Sequence, residues 1–285
     1  MELSFGVTFA VLGAAVLHAA WNAIIKSGRD PLLDTALVAL AGTVVALPLT
    51  LFVEAPEPQS RPYIVATVVV HVGYYTALAA AYRLGDLSHG YPIMRGVAPL
   101  LVALVSGFWF GERLSASAWA GVLLICGGVV SLAFVGGRRS KAAGKNAAAA
   151  TLWALGSAAI IAVYTLIDGA GVRVSGGAER YLVWLFVFLG LPFGIGVLAM
   201  KRGILLRHAA RHWWRGVAGA ILSGLSYGIA LWAMTRAPVA IIAALRETSV
   251  IFAALIGAWL LKEGHLKERI WGATAVFAGL IALKL

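Results

Sequence analysis

Six titratable side chains, His18, His71, Arg95, Asp168, Arg246 and Glu247, fall inside long apolar runs of this sequence, with Arg83 and Asp86 nearer the end of one run. In an apolar medium such groups are costly unless they face a cavity or a partner. Arg95 shares a helical face with Tyr91 and Pro99, four residues to either side, because residues at that spacing stack on one side of a helix. A guanidinium pairs bidentately with a carboxylate and so orients it as well as attracting it. Arg95 and Arg246 therefore read as a carboxylate-binding pair, or as groups that satisfy backbone carbonyls and pin neighbouring helices. Glu247 follows Arg246 directly and points about 100° away, so the two do not pair through their own helix. It is placed to receive a substrate ammonium, to carry a coupling proton, or to neutralise Arg95 or Arg246 from another helix.

Aromatic and polar side chains recur around these groups at helical spacing. His71, Tyr74, Tyr75, Leu78 and Tyr82 form one face; His18, Trp21 and Asn22 form another. Tyr164 and Asp168 stand one turn apart, and Ser223 and Tyr227 share a face with Trp232 slightly round the helix. Rings near helix ends usually anchor at the membrane interface, which suits Trp213, Trp214 and Trp271. Mid-run Trp21, Tyr74 and Tyr164 fit that role poorly. They suit an aromatic-walled cavity with polar tips, as a medium-sized, partly apolar solute requires, or ordinary helix packing. Ring faces would also accept planar or quaternary cations. The substrate-binding candidates are thus His18, Trp21, Asn22, His71, Tyr74, Tyr75, Tyr91, Arg95, Tyr164, Tyr227, Trp232, Arg246 and Glu247. Pro92, Gly96, Pro99 and Pro238 are candidate hinges, since proline removes a backbone hydrogen bond and bends a helix. Glu112 with Arg113, Glu263 and Asp168 sit near run ends and read as caps or interfacial ion pairs.

Composition sets the elements that position these residues. The chain has 285 residues, 61% hydrophobic and only 12% charged, with a mean hydropathy of +0.90. A soluble domain carries about 25% charged residues, so an ordinary globular enzyme, a disordered tail and a nucleic-acid binder are all excluded. The net charge of +11 then belongs to cytoplasmic loops, where membrane proteins collect Lys and Arg. A bilayer span needs about 20 apolar residues. Runs of that length fall at 5–26, 32–53, 62–83, 88–110, 115–136, 148–170, 180–200, 213–235, 239–261 and 268–284. Their Ala, Leu and Gly content and lack of strict alternation favour helices over a transmembrane barrel. The expected fold is all-α and polytopic, with ten transmembrane helices. The first run reads as a full span, so no separable signal peptide is expected. A lone Cys126 excludes an intramolecular disulfide.

The two halves resemble each other. A shift of 151 residues places Arg95 on Arg246, Leu104 on Leu255, Glu112 on Glu263, Gly121 on Gly272 and Gly128 on Gly279; a shift of 143 places Gly13 on Gly156 and Trp21 on Tyr164. Five helices per half is an odd number, so the second copy enters the membrane from the opposite side. Inverted repeats of this kind mark transporters, with the substrate site near the midplane between the halves. The division is 1–137, a basic linker at 138–146, and 147–285. Loops after the odd-numbered helices hold 15 of the 23 Lys and Arg, and the other loops and the tail hold 6. That bias puts the odd loops in the cytoplasm and both termini outside.

Tyr91-Pro92-Ile93-Met94-Arg95, Pro99-Leu100, Gly111-Glu112-Arg113, Trp119-Ala120-Gly121 and Gly127-Gly128 resemble the EamA module of the drug/metabolite transporter superfamily. The second half repeats it as Leu245-Arg246-Glu247, Glu263, Trp271-Gly272 and Gly279, and His18-Ala19-Ala20-Trp21-Asn22 is similar to first helices of the group. The second copy departs from the pattern at Val250, in place of Pro99, and at Lys262, in place of Gly111. The resemblance covers the chain and is greatest to bacterial aromatic amino acid exporters. It implies a ten-helix secondary carrier of two inverted repeats in the bacterial inner membrane. The expected function is export of amino acids, aromatic or other large neutral ones, and of related small metabolites by alternating access. A multidrug exporter of cationic compounds, or a metabolite importer of the same superfamily, is the alternative. The partners are a small-molecule substrate and the lipid bilayer, without nucleic acid, and a monomer suffices. There is no His-Glu-x-x-His, phosphate loop or Gly-x-Ser-x-Gly, so no enzyme, cofactor or metal site is expected.

Overall fold

A computed structural model describes residues 3–84, 87–137, 147–253 and 266–283. Among them the chain is helical throughout, apart from turns and short loops. The helices are α1 (Phe5–Lys26), α2 (Pro31–Leu49), α3 (Arg61–Leu84), α4 (Leu87–Phe110), α5 (Ala116–Gly137), α6 (Ala147–Arg173), α7 (Ala178–Leu189), α8 (Leu191–Met234), α9 (Val239–Arg246) and α10 (Leu266–Ala282). Among the described residues, six stretches are long and apolar enough to cross a membrane. The chain is therefore a multi-pass membrane protein. Large apolar side chains such as Phe108 and Phe9 stand exposed on its outside, the surface a helix presents to lipid. The linker 138–146 and Glu263 lie outside the described residues, as do the side chains of Tyr75, Leu78, Tyr82, Arg83, Asp86 and Trp271.

Local chemistry sets the helix ends. Ser4 accepts from the Val7 N–H, and Asp30 accepts from the Leu32 and Leu33 N–H groups, so one orphan donor is satisfied at the start of α1 and two at the start of α2. Ser115 does the same for α5 through the Ala118 N–H. Gly111, at φ +65°, ends α4 in the left-handed region that glycine enters without steric cost. Pro92 and Pro99 both lie inside α4, which continues through them.

Two departures from the expected spans matter. The runs 180–200 and 213–235 appear as α7 and α8, and α8 has non-helical backbone at Lys201 and His212. At 1.5 Å per residue, its 44 residues would extend roughly 66 Å if straight, about twice a bilayer core. The two breaks isolate residues 202–211 between its apolar ends. The run 239–261 is also interrupted: α9 stops at Arg246 and helix resumes at Ser249. Across the break the N–H groups of Glu247, Thr248, Val250 and Ile251 bond carbonyls three residues back instead of four, a tight turn of the kind that often marks a functional hinge. The Thr248 hydroxyl also donates to the Leu245 carbonyl at 2.7 Å.

The main helix contacts pair α1 and α2 with α8, α3 with α6, α4 with α5 and α6, and α5 with α10. The last pair meets at glycines. A Cβ on Gly128 would lie 3.1 Å from the Gly272 carbonyl oxygen, and the Gly121 and Gly279 backbones approach in the same way. The early part of α5 thus meets the late part of α10, so the two helices run antiparallel.

Candidate functional site

Arg95 and Glu247 meet across the molecule. Arg95 Nε lies 2.9 Å from Glu247 Oε2, with both side chains buried. The first belongs to α4; the second follows α9 at the tight turn. The two atoms face each other off the line that a directed hydrogen bond requires, and Arg95 Nη2 is buried with no hydrogen-bond partner. Arg246 adjoins them and stacks its guanidinium on the Tyr227 ring, 5.0 Å from the centroid. Among the described residues it has no acidic partner within ion-pair distance. Arg95, Arg246 and Glu247 wall a small cavity, closed further by Pro99, Tyr164, Thr165 and Ala243. Its free room takes about one water molecule.

Several of the other residues singled out from the sequence gather nearby. His18 lies within electrostatic reach of Arg95 and Arg246, and Tyr91 within that of Arg95 and Glu247. The rings of His71 and Tyr164 are 4.3 Å apart, with Tyr74 edge-on to both. Trp21 donates its indole N–H to His18 Nδ1 at 3.3 Å, and the Asn22 amide donates to the His18 carbonyl at 2.8 Å. Both contacts lie within α1 and hold its polar face. Trp232 sits elsewhere, at the end of α8 beneath the Arg236 guanidinium. Tyr75 falls outside the described side chains. Pro238 caps α9 in extended conformation. Gly96 lets α4 close on α5, since a Cβ there would lie 2.9 Å from the Cys126 carbonyl oxygen.

The reading of Asp168 as an interfacial cap is corrected. Its side chain is fully buried. Oδ1 accepts from the Thr67 hydroxyl at 2.6 Å and from the Tyr181 hydroxyl at 2.8 Å; Oδ2 accepts from the Tyr227 hydroxyl. One carboxylate thus ties α3, α7 and α8 to α6 behind the cavity. The missed signal was position: Asp168 lies one turn from Tyr164 in a run that extends to Arg173, further than the sequence suggested. Thr67, Thr165 and Tyr181 carried no signal, as hydroxyls are unremarkable in a span.

Glu112 is both a cap and an ion-pair partner. Its carboxylate accepts from the Val239 N–H at 3.0 and 3.1 Å and from Arg173 Nη2 at 2.6 Å. Arg173 also donates to the Met234 carbonyl at 2.9 Å. A residue of the first half therefore starts a helix of the second.

The family model described as the EamA-like transporter family matches residues 4–134 and 148–285. No curated protein matches the chain in sequence. A solved structure, described as a crystal structure of a protein, superposes with a TM-score of 0.78 over 98% of this chain and 96% of that one. At 19% identity that likeness speaks for the fold alone.

Proposed function

The chain belongs to the EamA-like transporter family, and on that premise we propose that it exports amino acids, preferably aromatic or other large neutral ones, and related small metabolites. The setting is the bacterial inner membrane, the unit a monomer, and the cycle one of alternating access through the central cavity. Ten spans, as two inverted five-helix repeats at 1–137 and 147–285, supply the two moving halves. The antiparallel glycine contact of α5 with α10 supports this architecture. So does the packing of α1 on α8 and of α6 on α3, which the repeat makes equivalent.

The observation that carries the substrate reading is the charge at the cavity. Glu247 answers Arg95, which leaves Arg246 as the net positive charge on the wall. A substrate carboxylate has two guanidinium groups to engage, and on taking Arg95 it releases Glu247 to meet an ammonium. An α-amino acid carries both groups. The faces of Tyr74, Tyr164 and Tyr227 favour an aromatic side chain. With room for about one water, the walls must part to admit it. Pro92, Gly96, Pro99 and Pro238 are the hinges, aided by the turn after Arg246.

Reconstituted protein is expected to exchange labelled phenylalanine or tryptophan saturably, and Arg95→Gln to abolish that exchange. Failure to move any aromatic amino acid, under any gradient, overturns the substrate reading and spares the fold. Cation transport that persists or improves in Arg95→Gln would favour the multidrug alternative, against which the positive wall weighs.

A further inference from the structure

The middle of α8 has a construction that transport itself does not use. Between the breaks at Lys201 and His212, Leu205 is buried against Leu33, Ala36 and Val197. His208 Nε2 lies 2.8 Å from Asp34 Oδ1, and Arg215 Nη2 lies 3.6 Å from Asp34 Oδ2. Arg215 also donates to the Ile24 carbonyl and, at 3.2 Å, to the Ser27 hydroxyl. Asp34 itself is buried. One acidic group, in the first turns of α2, thus fastens His208 of this segment and Arg215 just after it.

Apart from Asp30, whose carboxylate caps α2, the remaining charge on this face is positive and points outward. Arg29, Lys201, Arg202, Arg207 and Arg211 are exposed, and none has an ion-pair partner among the described residues. Beside them stand exposed Ile204, Leu206, Trp213 and Trp214. Cations interleaved with apolar and indole side chains, next to apolar spans on both sides, match a membrane surface that carries negative headgroups. A soluble acidic partner would not need the apolar residues.

We propose that residues 201–214 of α8, with Arg29 of the α1–α2 turn, form a binding surface for anionic phospholipid headgroups. The fastening through Asp34 holds this surface against the transport bundle, so lipid bound there stabilises the folded carrier by mass action.

The test uses the purified full-length protein in detergent, with thermal unfolding followed while phosphatidylglycerol or phosphatidylcholine is added. Phosphatidylglycerol is expected to raise the melting temperature saturably, well beyond phosphatidylcholine, and 1 M salt to erase the difference. The triple variant R202Q/R207Q/R211Q is expected to lose roughly 100-fold in apparent affinity for phosphatidylglycerol, at about one cation's surface attraction for each Arg removed. R61Q/R113Q, which removes exposed cations from loops after even-numbered spans, is expected to leave the response intact. Equal stabilisation by both lipids overturns the proposal, as does an equal loss in R61Q/R113Q. A matching rise with water-soluble glycerophosphate overturns it too, because the surface would then read a free phosphate. If the triple variant does not fold, the salt series and R207Q alone decide, and a salt-insensitive response in either sinks the idea.

Discussion

Gly121 of α5 and Gly279 of α10 meet backbone to backbone: a Cβ on the first would lie 2.9 Å from the carbonyl oxygen of the second, and one on the second 2.8 Å from that of the first. Gly128 and Gly272 repeat the contact one crossing further on. The repeat in the sequence relates Gly121 to Gly272 and Gly128 to Gly279. That correspondence carries the Gly121–Gly279 contact onto the Gly272–Gly128 contact. Small residues let helix backbones approach closely where no hydrophobic effect drives them together.

Alanine at Gly121 or Gly279 is expected to lower stability by about 1–3 kcal/mol, the usual cost of overpacking. Gly127→Ala is the control, because a Cβ there meets nothing within 4 Å and alanine favours helix. Thermal unfolding in one detergent checks the ranking. Equal effects at 121 and 127 would show that the close approach does not limit the packing of α5 on α10.

Glu112 starts α9 from a distant part of the chain. Glu112→Ala leaves the Val239 N–H without its acceptor and the Arg173 guanidinium without its acidic partner, though not without carbonyls to bond. The lost cap is worth about 0.5–2 kcal/mol, and the partly exposed ion pair adds at most about 1. Glu112→Gln keeps an acceptor for Val239 and is expected to cost about half as much. Amide exchange at 239–242 should rise in the alanine variant and little in the glutamine one.

The helices were legible because a membrane leaves them no alternative: runs of the right length between charged turns correspond to α1–α6 within a few residues. The break after Arg246 was not, as no glycine or proline marks it. There the signal is the Glu247-Thr248-Ser249 run, in which the Thr248 hydroxyl competes for a backbone carbonyl. Arg95, Arg246 and Glu247 stood out because charge inside a span is costly; Asp168 met the same rule, but its place near the end of the run 148–170 favoured a cap, whereas α6 continues to Arg173 and buries it. What sequence could not supply was partnership. Spacing along α8 puts Tyr227 on a face, but only the fold brings its hydroxyl to Asp168 and its ring beneath Arg246. Trp232, one turn on, is instead taken by Arg236.

Asp168 gives a prediction of order. Alanine there strands three hydroxyls, each of which costs about 1–3 kcal/mol if left buried and unpaired. Asparagine keeps an oxygen for Thr67 and Tyr181, and its amide can donate to a Tyr227 hydroxyl turned round to accept. Asp168→Ala should therefore unfold at much lower temperature than Asp168→Asn, with Tyr227→Phe milder than the alanine variant. Equal losses in Ala and Asn would show that the carboxylate's charge, and not its acceptors, holds the four helices.

The ion pair between Arg95 and Glu247 makes the sharpest separation between structure and transport. Removing one member of a buried pair leaves an uncompensated charge, at a cost of about 3–5 kcal/mol, whereas removing both leaves none. Arg95→Gln and Glu247→Gln should each destabilise, and the double variant should recover part of the loss. A purely structural pair would do no more. If the pair also holds the site ready for an amino acid, ligands should divide the two variants. Glu247→Gln frees Arg95 and should raise the thermal response to phenylpropionate, which has the carboxylate but no ammonium. Arg95→Gln should lose the response to both phenylpropionate and phenylalanine, while phenylalaninamide, without a carboxylate, should act on neither the native chain nor that variant. A native response to phenylalanine that survives Arg95→Gln would leave the pair as a structural bridge and move the carboxylate to Arg246, whose guanidinium already lies open over Tyr227.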